Sequence, residues 1–401
     1  MTVQPPEPSA APYDYLIVGC GLYGATFARL ASDAGLRCLL LDKRDHIGGN
    51  CHTTQREGIH VHTYGAHIFH TSNEAVWAFM QRFASFNNYI NSPKAISGGK
   101  LYSLPFNMNT FHELWQVLTP EQARARIEAQ RFRGEPSNLE EQALSLVGTD
   151  IYNTLIRDYT SKQWGRHPRE LPAFIIRRLP LRFTYNNNYF NDRYQGIPIG
   201  GYTALFERML AGIELKLNTD YLAHRNHFDT LARKVVYTGC IDEFFDFAHG
   251  RLDYRSLDFE HDLIESDNHQ GNAVINYCDH SAPYTRTIEH KHFDMASSEV
   301  TIVTREYPRD GSPGRIPYYP VNSAENQRTY NLYRERAEAQ PHHIFGGRLS
   351  EYKYMDMHVV VEAAINRFRS EQKRAGRASG ARESAAAQLS ISPPPSSTSP
   401  A

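Results

Sequence analysis

The most constraining feature of the chain lies near its start. A short apolar run, Tyr13 to Val18, leads into Gly19-Cys20-Gly21-Leu22-Tyr23-Gly24, and a helical pattern from Gly24 to Ser32 follows. Strand, glycine turn and helix in that order give the G-x-G-x-x-G arrangement the context in which it binds a dinucleotide. Gly19 permits the tight turn, Gly21 lets a pyrophosphate approach the backbone, and Gly24 allows the helix to pack close on the sheet. A second apolar run, Arg37 to Leu41, ends at Asp42, at the distance where an acidic side chain meets a ribose hydroxyl. The chain therefore opens a doubly wound α/β domain with a dinucleotide site.

Directly behind the acid, Asp42-Lys43-Arg44-Asp45-His46-Ile47-Gly48-Gly49-Asn50 brings a second glycine pair. By analogy with folds that hold only FAD, such a turn lies along the cofactor and favours FAD over NAD; a plain surface turn would use the same glycines. From Leu114 to about Ile176 the spacing becomes helical with charged faces, which predicts a helical insertion. Ala273 to Tyr277, Thr285 to Ile288 and Val300 to Thr304 are β-rich and too closely spaced for βαβ crossovers, so an antiparallel sheet is expected there. Helical character returns at Ala324 to Ala339 and Val359 to Phe368, so the first domain draws on distant pieces of sequence. Both ends, residues 1–12 and 375–401, are poor in large apolar residues and are expected to be disordered.

Composition narrows the partners. Lys and Arg number 43 against 44 Asp and Glu, so no broad basic field favours nucleic acid, and any anion must be met by a few placed cations. The five cysteines show neither CxxC spacing nor disulfide density, which fits a reducing compartment and a cytoplasmic location. No secretory pattern and no apolar run of membrane-spanning length is present. With 24 Tyr and 20 Phe the chain is rich in rings that either fill cores or stack on a base or flavin.

Several later segments carry a specific resemblance. Tyr64-Gly65-Ala66-His67-Ile68-Phe69-His70-Thr71, Leu104-Pro105-Phe106-Asn107-Met108, Tyr159-Thr160-Ser161-Lys162-Gln163-Trp164-Gly165 and Arg178-Leu179-Pro180-Leu181-Arg182-Phe183 stand in the family's order. They are followed by Pro283-Tyr284-Thr285-Arg286, Glu289-His290-Lys291, Gly346-Gly347-Arg348-Leu349 and Tyr352-Lys353-Tyr354-Met355-Asp356-Met357. Together these runs resemble the prokaryotic UDP-galactopyranose mutases over about residues 13 to 370. The resemblance implies a Rossmann-like FAD-binding domain (13–90, 201–250, 320–372), a helical domain with a substrate loop (106–180) and an antiparallel sheet domain (91–105, 181–200, 251–319). It also implies a homodimer.

It further implies residue roles. Arg178 and Arg286 meet the substrate diphosphate, for which guanidinium forks suit phosphate bidentately; a lone surface arginine would be a solvated ion-pair partner instead. Tyr159, Tyr189, Tyr319 and Tyr354 bind nucleotide or diphosphate, Trp164 sits on the loop that closes over substrate, and Asn91 and Asn276 contact the sugar and uracil regions. Thr160 and Asp356 complete the substrate set. Gly19, Gly21, Tyr23, Gly24, Asp42, Lys43, Gly49, Asn50, His67, Ile68, Arg348, Met355, Asp356 and Met357 line the cofactor. His70 tunes the reduced flavin, and a metal is not expected, because no carboxylate or cysteine accompanies His67 and His70 at ligand spacing. The helix from about Val359 presents its positive N-terminus to the flavin.

The implied reaction interconverts UDP-galactopyranose and UDP-galactofuranose, supplying galactofuranose for cell-surface polysaccharides. N5 of reduced FAD attacks the anomeric carbon, UDP leaves, the tethered sugar opens and recloses, and UDP returns without net redox. A reductant such as NAD(P)H readies the flavin. Three alternatives stand beside it: a flavin oxidase or desaturase sharing the opening fingerprint, a nucleotide-sugar-binding flavoprotein without turnover, and a related mutase acting on UDP-N-acetylgalactosamine or dTDP-fucose.

Overall fold

In a computed structural model, residues 11–176, 179 and 181–389 are described, with side chains as far as 374. The opening apolar runs form two neighbouring strands, Tyr13–Val18 and Cys38–Leu41, joined by the helix Leu22–Asp33. Three distant segments complete a five-stranded sheet in the order His343–Phe345, Ala232–Tyr237, Tyr13–Val18, Cys38–Leu41, Glu214–Lys216, with every pairing parallel. Successive side chains of a strand point to opposite faces, and here both faces are covered. Ile17, Leu40 and Val236 pack with Phe27, Phe206 and Val361 on one side, while Leu16, Leu39, Leu41 and Val235 pack with Tyr221, Phe244 and Tyr333 on the other. Complete burial of each such aliphatic side chain contributes about 1.5 to 3 kcal/mol. This is the Rossmann-like layer that the fingerprint requires.

The second layer is a seven-stranded sheet in the order Tyr319–Pro320, Tyr254–Ile264, Thr301–Asp310, Arg286–Glu289, Val274–Tyr277, Lys94–Ser97, Lys100–Ser103. The expected antiparallel sheet is present, Val274–Tyr277, Arg286–Glu289 and Thr301–Asp310 pairing antiparallel, and one pairing departs from it: Val274–Tyr277 runs parallel to Lys94–Ser97, with Ile275 opposite Lys94 and Asn276 opposite Ala95. Strands so far apart in sequence need no hairpin between them, so nothing forces them antiparallel.

The helical region begins earlier than the spacing suggests. Met108–Trp115 starts at Asn107, whose side chain accepts from the Asn109 and Thr110 amides while Thr110 Oγ1 accepts from the Asn107 amide in return. Pro120–Glu128, Leu139–Ile151 and Arg157–Trp164 follow, the second of these bent at Gly148, whose φ of 77° no regular helix contains. Their apolar faces meet around Phe111, Ile127, Val147 and Leu155. The last helix starts at Met357, two residues before the expected position, and runs to Leu389. The expected disorder is thereby corrected over 375–389, whose backbone is helical; residues 1–10 and 390–401 lie outside the described residues.

Candidate active site

The fingerprint forms a cradle with no room for a side chain at Gly19 or Gly24. Gly19 has a φ of 106°, and a Cβ there would meet Thr238 Oγ1 at 2.1 Å; one on Gly24 would meet the Gly19 carbonyl at 1.9 Å. The second glycine pair crosses the first: a Cβ on Gly49 would lie 2.9 Å from Gly21 Cα. On the opposite side Tyr23 packs so tightly on Gly346 that a Cβ there would lie 2.2 Å from its ring. Asp42 is buried, with Oδ2 accepting from the Cys20 amide at 2.7 Å and Oδ1 from the Arg44 amide at 2.9 Å. Each oxygen keeps a lone pair for a further donor.

Cations line this cradle with unused donors. Arg44 stacks on Tyr64 at 4.6 Å and binds Asn50 Oδ1 at 2.8 Å, yet its Nη1 is buried with no partner among the described residues. Arg348 donates to the Tyr318 carbonyl at 2.8 Å and lies 4.9 Å from the Tyr354 ring, and its Nε is likewise unpartnered. Buried donors without acceptors are costly, and an anion such as a pyrophosphate removes that cost. The residues therefore fit a dinucleotide. Lys43, by contrast, is exposed and lies in electrostatic reach of Glu243. Sequence reading missed Arg44, although it sits in the quoted acid-to-glycine run.

Beyond Arg348 the cleft continues into a ring of tyrosines. Arg286 Nη2 donates to Tyr159 Oη at 2.9 Å, and its Nε lies 3.5 Å from the buried Glu306 carboxylate. Burial disfavours the guanidinium charge, but Glu306 and Tyr159 more than offset this and hold Arg286 firmly cationic. Burial also raises the Tyr159 hydroxyl above its ordinary range, so it stays protonated and able to donate. Tyr319 and Tyr354 stand 6.0 Å apart, and Tyr189, whose amide donates to the Asn91 carbonyl at 2.7 Å, feels the charge of both Arg286 and Asp356. Tyr189 and Tyr354 are 38% and 54% exposed, so their faces are open to a ligand. Asn276 lies opposite Arg286 on the neighbouring strand, with its Oδ1 buried and unpartnered among the described residues. Thr160 is buried and Trp164 half-buried at the end of its helix. Arg178 lies outside the described residues. Glu306 was not singled out from sequence, where nothing sets a strand carboxylate apart.

The third part gathers at the start of the last helix. Met355 is buried, and Cys51 Sγ lies 3.7 Å from Met357 Sδ. Ile68 is buried beside His67, whose Nδ1 lies 2.8 Å from the Gly65 carbonyl; burial pushes the His67 imidazole down to about 4. His70, Asp356 and His358 each bring a ligand-type atom within 4.8 Å of the others. This corrects the reading that no carboxylate accompanies the histidines: Asp356 arrives from a distant segment. The trio lies at a helix N-terminus, whose positive potential opposes a cation.

The geometry thus joins a dinucleotide cradle to a cationic, tyrosine-lined cleft. A family model for UDP-galactopyranose mutase matches residues 154–354, and one for NAD(P)-binding Rossmann-like domains matches 17–83. A dTDP-fucopyranose mutase of Escherichia coli is 40% identical over 361 residues, covering 87% of this chain and 96% of that protein. The chain belongs to the UDP-galactopyranose mutase family. A probable UDP-galactopyranose mutase of Klebsiella pneumoniae is 39% identical to this mutase over 358 residues, covering 87% of the chain and 92% of that protein. The crystal structure of a reduced UDP-galactopyranose mutase shares the fold at a TM-score of 0.70 and 12% identity, covering 89% of this chain and 93% of that one. A putrescine oxidase redesigned in its cofactor binding shares it at 0.54 and 13% identity, covering 91% and 100%. The mutase is thus an isomerase with a Rossmann-like domain, and no helix among its described residues is long and apolar enough to cross a membrane.

Proposed function

We propose that this mutase interconverts UDP-galactopyranose and UDP-galactofuranose with reduced FAD, as a cytoplasmic homodimer that supplies galactofuranose for cell-surface polysaccharides. The carrying observation is the half-buried Arg286–Tyr159 pair, with the exposed Tyr189 and Tyr354 rings nearby. Bound in that cradle, FAD in its reduced form would supply the N5 lone pair that receives the anomeric carbon; the oxidised ring is too electron-poor to do so.

The chain's own residues hold everything else in register. Asp42, Arg44 and Arg348 would anchor the cofactor by ribose and pyrophosphate. Arg286, with Arg178 as the second cation that the resemblance supplies, binds the diphosphate as substrate, leaving group and returning nucleophile. Each charge-assisted hydrogen bond contributes roughly 1.5 to 3 kcal/mol. Tyr159 donates its hydroxyl proton to the same oxygens, and Tyr189, Tyr319 and Tyr354 flank them. Asn276 Oδ1 accepts a proton donor of the base or sugar, and Trp164 closes the cleft against water.

The test is activation by reduction. Dithionite or NAD(P)H is expected to switch on interconversion of the two UDP-sugars, with the flavin remaining reduced over many anaerobic turnovers. Equal turnover by the oxidised enzyme overturns this reading, and stoichiometric flavin reduction by the sugar favours an oxidase. A second reading, turnover of dTDP-fucopyranose, is favoured by the 40% identity to the Escherichia coli enzyme, against 39% to the Klebsiella pneumoniae protein. Product analysis on UDP-galactose, UDP-N-acetylgalactosamine and dTDP-fucose separates them.

A further inference from the structure

His70 lies on the short strand Phe69–Thr71, and two restraints converge on its ring. Phe190 stacks on one face, with centroids 3.7 Å apart and planes 10° from parallel. Asp192 Oδ2 lies 2.6 Å from Nδ1. The other carboxylate oxygen accepts from Ser72 Oγ at 2.8 Å, and Ser72 Oγ accepts from the Arg193 amide at 3.2 Å. Stacking fixes the plane of the imidazole, and the Asp192 contact fixes its rotation within that plane. Burial raises the Asp192 carboxyl, but the bonds from His70 and Ser72 outweigh it and hold the group below the usual carboxylate range. An ionised carboxylate can only accept, so the proton of the short contact resides on Nδ1. Nε2 is left without a protein hydrogen bond among the described residues, in the group that His70 forms with Asp356 and His358.

We infer that Asp192 is a positioning residue of the reaction, holding His70 in its Nδ1–H form so that Nε2 meets the flavin and sugar as a hydrogen-bond acceptor. The inference rests on the flavin reading given above. Its physical content is directional. With the proton on Nδ1, a neutral imidazole offers a lone pair to an N–H or O–H at the start of the last helix; the opposite tautomer would place a competing N–H there. Nothing in the local sequence announces Asp192, because it reaches His70 through the antiparallel pairing of Phe69–Thr71 with Tyr194–Gly196.

Asp192→Asn tests this directly, since its amide nitrogen can donate to Nδ1 and stabilise the opposite tautomer. In holoenzyme with 15N-labelled histidine, the His70 signal, assigned by its loss in His70→Asn, is expected to report protonated Nδ1 in the wild type and to change in Asp192→Asn. The flavin midpoint potential should move as well, and kcat should fall about 10- to 100-fold with a smaller change in KM. Adding Asp192→Asn to His70→Asn should cost nothing further, because both act through one ring. An unchanged His70 tautomer and kcat in Asp192→Asn, or an equal additional loss in the His70→Asn background, overturns the proposal. Should Asp192→Asn fail to fold, the wild-type spectrum decides, and an Nε2–H His70 there refutes the assignment. A wild type that turns over no nucleotide sugar would sink the functional reading while leaving the tautomer and potential measurements intact.

Discussion

Gly21 and Gly24 sit three residues apart in one turn, yet alanine should harm them for different reasons. A Cβ on Gly24 collides with the Gly19 carbonyl at 1.9 Å, a backbone contact that cannot yield, so Gly24→Ala should lower the Tm of the apoprotein as well as abolish flavin binding. A Cβ on Gly21 meets no protein atom nearer than 4.0 Å, and that residue has no positive φ. Gly21→Ala should therefore fold normally and lose the cofactor alone. The visible flavin absorbance relative to protein, read beside apoprotein Tm, separates the two; a fully yellow Gly21→Ala protein would move the pyrophosphate elsewhere. Arg286→Ala should keep the flavin and lose roughly 10²-fold in kcat/KM, if about 3 kcal/mol of transition-state stabilisation disappears. Arg286→Lys should recover little, since an ammonium cannot serve Tyr159, Glu306 and a phosphate from one plane. Steady-state kinetics on reduced enzyme check both. At this scale the sequence was informative wherever a residue type has one geometric use, as with the fingerprint glycines. It was silent on Glu306 and Asp192, ordinary residue types whose roles depend on partners supplied by remote segments.

The helix Arg157–Trp164 carries both Tyr159 and Trp164, and its C-terminal turn is fastened to the large sheet by two cations. Lys162 Nζ donates to the Ala282 and Tyr284 carbonyls at 3.1 and 3.0 Å, and Arg255 Nε donates to the Gln163 carbonyl at 2.9 Å. Burial lowers the Lys162 ammonium below its ordinary range, so these carbonyl contacts hold a partly desolvated charge. Lys162→Ala should loosen this turn without unfolding the protein. The expected signs are faster amide exchange across residues 157–165, a several-fold rise in KM and a smaller change in kcat. Unchanged exchange there would show that the turn is held by Arg255 alone. Elements were legible in proportion to their periodicity. The first strand and helix followed from local pattern, whereas Tyr254–Ile264, at 11 residues the longest strand, was not singled out. Its alternation places Asp258, Glu260 and Asp262 among the apolar residues, and ion pairs to Arg305, Arg309 and Arg315 stand where a sequence reader looks for a hydrophobic face.

Across the whole molecule, a file of histidines links the glycine-rich turn to the large sheet. The His67 amide donates to His62 Nδ1, the His62 amide donates to His290 Nδ1, and His290 Nε2 meets Thr304 Oγ1 at 2.6 Å. Because both Nδ1 atoms accept, neither ring can take a second proton without breaking a bond to the backbone. Burial accordingly pushes His62 well down and His290 to about 3, and it pushes His67, whose Nδ1 faces the Gly65 carbonyl instead, down to about 4. These folded values lie below the unfolded one, so between pH 6.5 and about 4 the unfolded chain binds more protons and stability falls as pH falls. The Tm of the apoprotein should decline through that window, and His290→Asn should flatten the decline; a flat wild-type profile would mean that the rings do not stay neutral. The fold class was legible because the fingerprint, the helical insertion and the β-rich segments are separate in sequence. The one parallel pairing of the large sheet was not, since it joins strands from opposite halves of the chain.

The five-stranded sheet has a consequence for how the protein is made. Its first two strands and the phosphate turn leave the ribosome together, but the strand His343–Phe345, which pairs with Ala232–Tyr237, and Gly346, against which Tyr23 packs, emerge far later. Until then the nascent fingerprint has an open sheet edge and an uncovered tyrosine, and such surfaces are the ones that misassociate. This sheet can therefore close, and Tyr23 be covered, only once residues 343–346 have followed the fingerprint out of the ribosome, and until then the nascent chain depends on staying apart from its neighbours.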